Sequence, residues 1–193
     1  MPIVKACFLF VFGMLVPDTH SQNSYARLCL GTAQLGMDYG AANRTGMPSL
    51  NEAQALLREA LRRGVTLFDT AQAYGEAEAR LGSVQEDMVA HGAACITKLL
   101  PLTADEGETI ASLERRVEAL VRRSLERLQV PVLPYMMLHR ASHITDYDGV
   151  IWRTLLALRN AGLIGHVGVS VSSPAEALAV IEVEGVTCLQ VPF

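Results

Sequence analysis

From Leu28 onward the chain repeats one unit, a short apolar run that closes on a polar residue and then a stretch with helical spacing. The runs are LCLGTA from Leu28, TLFDTA from Thr66, ACITKL from Ala94, YMMLHR from Tyr135, HVGVSV from His166 and TCLQVPF from Thr187. Apolar residues fall on both parities, as in parallel strands covered on both faces. Strand, helix, strand in regular alternation implies a parallel sheet with right-handed crossovers. Two α/β folds satisfy that order, a doubly wound open sheet and a TIM barrel. No G-x-G-x-x-G follows the first strand, because Gly31 and Gly36 are wrongly spaced for it, and no P-loop lysine is present. That absence lowers the open-sheet reading without excluding it, so both folds stay open on the residues alone.

The intervening stretches carry helix signals. Ser49 is an N-cap for NEAQALLREALRRG, Gly64 is its stop, and Leu56, Ala60 and Leu61 are expected to share a face. From Glu108 to Gln129, Leu113, Val117, Leu120, Val121, Leu125 and Leu128 recur at helical spacing. Asp148 to Asn160 reads as a helix closed by Ala161-Gly162. Another opens at Ser173-Pro174 and runs to about Val183.

Composition narrows the partners. The net charge is -4, and Arg115, Arg116, Arg122 and Arg123 alternate with Glu114, Glu118 and Glu126, so a solvated helix face is expected and no nucleic-acid partner. The four cysteines, Cys7, Cys29, Cys95 and Cys188, form no C-x-x-C pair, and buried free thiols in a reducing, cytoplasmic setting are expected. His139 and His143 make H-x-x-x-H without a third ligand, so no metal site is expected.

Residues 1–26 read as an N-terminal extension, and residues 27–193 as one α/β domain. In the extension Lys5 precedes the apolar run ACFLFVFGMLV and the polar stretch PDTHSQNS. The run is too short for a stable membrane span. It fits a signal-like segment over residues 1–21, which would make the protein secreted or periplasmic. It also fits an extra strand or helix against the domain, or a start placed upstream of a natural beginning near Arg27.

The ionisable residues then stand out. Asp69, Lys98 and His139 each end an apolar run, on three successive strands. Taken singly, Asp69 could cap a turn, Lys98 could snorkel and His139 could be a rim histidine. Taken together they are expected to converge, because strand C-terminal ends meet at the mouth of a barrel, where active sites lie.

The stretch LFDTAQAYGEAEARLG resembles the signature of the aldo-keto reductases, D-T-A-x-x-Y-G followed by an acidic residue and L-G. TKL at Lys98 and LHR at His139 resemble the family's third- and fourth-strand motifs. LCLGTAQLGMDYG resembles its first strand, with Gly31 and Thr32 near cofactor and substrate. GVS ending at Ser170 and LQVPF around Gln190 resemble the motifs that hold the nicotinamide. The resemblance runs from Leu28 to the last residue, and it implies that residues 27–193 form a (β/α)8 TIM barrel, truncated after about the sixth strand and so incomplete at its C-terminus.

It implies NAD(P)H-dependent, reversible reduction of a small aldehyde or ketone, with NADPH expected ahead of NADH. Tyr74 would be the general acid, Lys98 would lower its pKa, and Asp69 would hold Lys98 and contact the cofactor. His139 would orient the carbonyl. Two departures are visible. Val171 follows Ser170 where many members have Asn, and the sequence ends at the sixth strand of an expected eight. The competing expectations are a non-catalytic truncated or regulatory barrel fragment, and a lyase using Lys98 as a Schiff base.

Overall fold

In the computed structural model, described over residues 7–11, 28–40, 43–103 and 107–192, all six apolar runs are strands. They are β2 (Cys29–Gly31), β3 (Leu67–Asp69), β4 (Ala94–Leu99), β5 (Leu133–Leu138), β6 (Ile164–Ser170) and β7 (Cys188–Pro192). Neighbours pair in sequence order, and every pairing from β2 to β7 is parallel. A further strand, β1 (Cys7–Val11), runs antiparallel along β7, with Cys7 opposite Pro192 and Val11 opposite Cys188. These five residues lie within the apolar run of the signal-like segment, and the rest of residues 1–26 lies outside the described residues. Among the described residues no helix is long and apolar enough to cross a membrane.

Seven α-helices are described: α1 (Ala33–Gly36), α2 (Leu50–Arg62), α3 (Ala77–Gly82), α4 (Gln85–Ala90), α5 (Ile110–Leu128), α6 (Val150–Asn160) and α7 (Pro174–Ile181). The caps follow from side-chain chemistry. Ser49 and Glu52 satisfy each other's backbone N–H in a capping box at α2. Thr109 accepts from the Ser112 N–H at α5, and Ser173 accepts from the Glu176 N–H one residue before Pro174.

Two expectations change. The buried stripe of α2 is Ala53, Leu57 and Leu61, while Leu56 is 40% exposed, because i, i+4 spacing and not i, i+5 keeps residues on one side. Helix α6 starts at Val150, because Tyr147 and Asp148 adopt left-handed backbone before it.

The sheet has two unequal faces. Outward, Phe68, Cys95, Met136, Leu138, Val167, Val169 and Leu189 pack against the helices through Leu57, Val117, Val121, Ile151 and Leu155. Inward lies a small cluster of Ile96, Met137 and Cys188, bordered by Cys29, Leu67 and Tyr135. Each fully buried large apolar side chain stabilises by roughly 1.5–3 kcal/mol, so the outer layer carries most of the stability and leaves the inner face for other tasks.

One hydrogen bond shows that the sheet curls. Four strand spacings separate β3 from β7, about 19 Å in a flat sheet. Yet the Gln190 side-chain amide on β7 donates to Asp69 on β3 at 2.9 Å. Only a sheet rolled toward its own axis brings them together. The six parallel strands and their helices thus form an open part of a (β/α)8 barrel.

Candidate active site

The inner face is layered with a period of two residues. Two positions beyond Cys29, Leu67, Ile96, Met137 and Cys188 stand Gly31, Asp69, Lys98, His139 and Gln190. Side chains alternate along a strand, so the apolar plug below places a polar layer above it, toward the strand ends. Asp69, Lys98, Tyr74, His139 and Gln190 come together there.

Lys98 is 2% exposed. Its ammonium donates to Asp69 Oδ1 at 2.5 Å and to the Thr70 carbonyl at 3.0 Å. It also lies 5.2 Å from the centre of the Tyr74 ring. The rings of Tyr74 and His139 meet edge to face at 6.0 Å. Lys98 pulls the Tyr74 pKa down, as anticipated, but burial pushes harder and the phenol ends above its ordinary 10.0. Burial, then the Lys98 charge, holds His139 below the ordinary 6.5, so its ring is neutral at pH 7. His139 Nδ1 is buried with no hydrogen-bond partner.

The turn bearing Tyr74 is held on both sides, which no sequence motif had announced. On one side it meets α1. Gly75 has a φ of +56°, and a Cβ there would collide with the Gly36 carbonyl. A Cβ on Gly36 would collide with the Tyr74 carbonyl and the Ala77 nitrogen. The two glycines let the backbones touch, and the Glu76 N–H donates to the Gly36 oxygen at 2.9 Å. On the other side it meets α5. Gln72 donates to Ser124 Oγ at 2.8 Å and to the Leu120 carbonyl at 2.9 Å, and it accepts from the Leu100 N–H at 2.8 Å. Arg127 donates to the Gly75 carbonyl at 2.5 Å.

Gly31, Thr32, Ser170 and Gln190 are the four other residues expected near the cofactor. Gly31 is exposed, and a Cβ built there would point into open space. Thr32 is fully buried and its hydroxyl donates to the Asp69 carbonyl at 2.9 Å, so it braces Asp69. Ser170 stands beside Gln190 in register. Gln190 is 5% exposed, and while its amide nitrogen binds Asp69, its Oε1 has no partner. Val171 packs into the outer core, and its N–H donates to the Gln190 carbonyl at 2.9 Å. His143 faces away from this group, accepting from the Leu102 N–H at 3.0 Å and contacting Asp146 at 2.9 Å. Among the described residues no three His, Cys, Asp or Glu side chains gather as a metal site would require.

Comparisons with known proteins converge on one family and one fold. The model of the Aldo/keto reductase family matches residues 27–193. An uncharacterized oxidoreductase of Mycobacterium tuberculosis is 30% identical over 158 residues, which is 79% of this chain and 44% of that protein. A crystal structure from Pseudomonas aeruginosa, described as that of an aldo-keto reductase, is 30% identical with a TM-score of 0.63, over 81% of this chain and 60% of that one. The aldo-keto reductase of Bombyx mori, solved with NADP, shares the fold at 20% identity and a TM-score of 0.58, over 82% of this chain and 52% of that one. The chain thus spans under half the length of the curated relatives it matches.

Proposed function

Because the chain belongs to the aldo/keto reductase family, we propose that it carries the catalytic centre of an NADPH-dependent oxidoreductase that reduces a small aldehyde or ketone to an alcohol. The observation that carries this reading is Lys98, a buried ammonium held by Asp69 at 2.5 Å and set against the Tyr74 ring. A buried ion pair adds little net stability, since desolvation offsets attraction. Chemistry explains its place better than folding does.

A bound reduced nicotinamide supplies the hydride. The residues present fit that group. Gln190 Oε1, buried and unpartnered, suits the N–H of a carboxamide, and Ser170 lies next to it. The open space at Gly31 leaves room for a ligand close to the backbone. The choice of NADPH over NADH rests on the family and on the Bombyx mori neighbour's complex with NADP.

The proton comes from Tyr74, which burial keeps protonated near neutral pH. Tyr74 Oη donates it to the carbonyl oxygen, and Lys98 stabilises the phenolate left behind. Asp69 keeps the ammonium aimed at the ring, and Thr32 and Gln190 keep Asp69 in place. Neutral His139 supplies a hydrogen bond that orients the carbonyl. In the reverse direction the phenolate takes the alcohol proton. Free thiols at Cys95 and Cys188 support a reducing, cytoplasmic setting.

The test is loss of NADPH absorbance with a panel of aromatic and aliphatic aldehydes. Tyr74→Phe is expected to lower turnover by at least about 10²-fold. Undiminished turnover in that variant would remove Tyr74 from its role. NADPH binding without turnover in the parent chain would favour the non-catalytic barrel.

A further inference from the structure

Glu78 is a carboxylate 2% exposed, on α3, outside the barrel wall and away from the reacting groups. Its Oε1 accepts two hydroxyls, Thr97 at 2.7 Å and Ser124 at 2.7 Å, both fully buried. Its Oε2 faces the Arg127 guanidinium at 3.6 Å. Burying a charge this deeply is costly unless it is well partnered, and these three partners lead to the active site. Thr97 is the outward neighbour of Lys98 on β4, so anchoring one anchors the other. Ser124 and Arg127 lie one turn apart on α5. Ser124 receives Gln72 and Arg127 binds the Gly75 carbonyl. Gln72 and Gly75 flank Tyr74, and the Gln72 N–H also donates to the Lys98 carbonyl at 3.1 Å.

We propose that Glu78 is a positioning residue that sets the separation between Tyr74 and Lys98. One oxygen fastens the strand of the ammonium, and through α5 both oxygens fasten the turn of the phenol. This rests on the reading of Tyr74 as the proton donor, yet it concerns geometry that exists without cofactor or substrate.

The experiment therefore reads Tyr74 directly. Its ionisation is followed by ultraviolet absorbance after a rapid pH jump, as the difference between each protein and its Tyr74→Phe counterpart. Lys98→Met defines the upward shift when the ammonium is gone. Glu78→Met is expected to raise the Tyr74 midpoint by about one pH unit, toward the Lys98→Met value. Glu78→Gln, whose amide oxygen can still accept both hydroxyls, is expected to raise it less. Ser124→Ala, a smaller change, serves if Glu78→Met does not fold, and is also expected to raise it.

The sign is diagnostic. Deleting a negative charge without moving anything makes the phenolate easier to form and lowers the midpoint. An unchanged or lowered midpoint in these variants would overturn the proposal. A raised midpoint in a chain that never oxidises NADPH would uphold it while removing the enzymatic reading.

Discussion

Tyr74 holds its proton more tightly than a tyrosine in water, because burial outweighs the attraction of Lys98 for the phenolate. The sign of the pH dependence follows. Reduction needs the protonated phenol, so its rate is expected to stay level through neutral pH and to fall only above pH 10. His139, held below 6.5 by burial and by Lys98, remains neutral across that plateau. A pH profile of kcat/KM checks both limbs, and a loss of rate already at pH 8 would contradict the Tyr74 assignment. Lys98→Met removes the favourable charge, so the phenol becomes a still weaker acid. Turnover is expected to drop about 10²–10⁴-fold, in the same assay. The ion pair was foreseen from residue type and place and the phenol from the family resemblance, but their balance was not. Desolvation depends on neighbours such as His139 that only the folded chain brings near.

At the scale of elements, the contact between α1 and the Tyr74 turn is made by absent side chains. Gly36→Ala is expected to force those backbones apart and to cost about 3 kcal/mol, the upper end for overpacking, because the colliding atoms are main chain and cannot rotate away. Urea unfolding of the variant measures this, and a cost under about 0.5 kcal/mol would show the contact to be looser. The six strands were legible because each apolar run is bounded by polar residues, α2 and α7 because each opens on a capping serine, and α5 because its apolar residues recur at helical spacing. Helices α1, α3 and α4 were not, since four to six residues are too few to display a 3.6-residue period. The brace formed by Gln72, Glu78, Ser124 and Arg127 was also missed, although one trace of it is visible. Ser124 interrupts the buried stripe of Val117, Val121 and Leu128 on α5, and a hydroxyl in such a stripe requires a buried partner.

Across the whole molecule, two thiols sit on opposite faces of the sheet, Cys95 in the outer core and Cys188 in the inner cluster. Burial pushes each up from 9.0 to about 12. The unfolded chain therefore releases these protons first. Stability is full below pH 9 and declines as pH rises toward about 12, by up to roughly 1.4 kcal/mol per pH unit for each thiol. Urea midpoints between pH 8 and pH 11 are expected to show this decline, and Cys95→Ala to flatten it. An equal slope in that variant would place the alkaline sensitivity elsewhere. The hydrogen bond from Gln190 to Asp69, which reported the roll of the sheet, has a further consequence in time. A chain made from its N-terminus at about 5–20 residues per second produces Asp69, Tyr74, Lys98 and His139 several seconds before Gln190. During that interval Lys98 and Thr32 are the partners available to Asp69, and β7 brings the Gln190 bond to it afterwards.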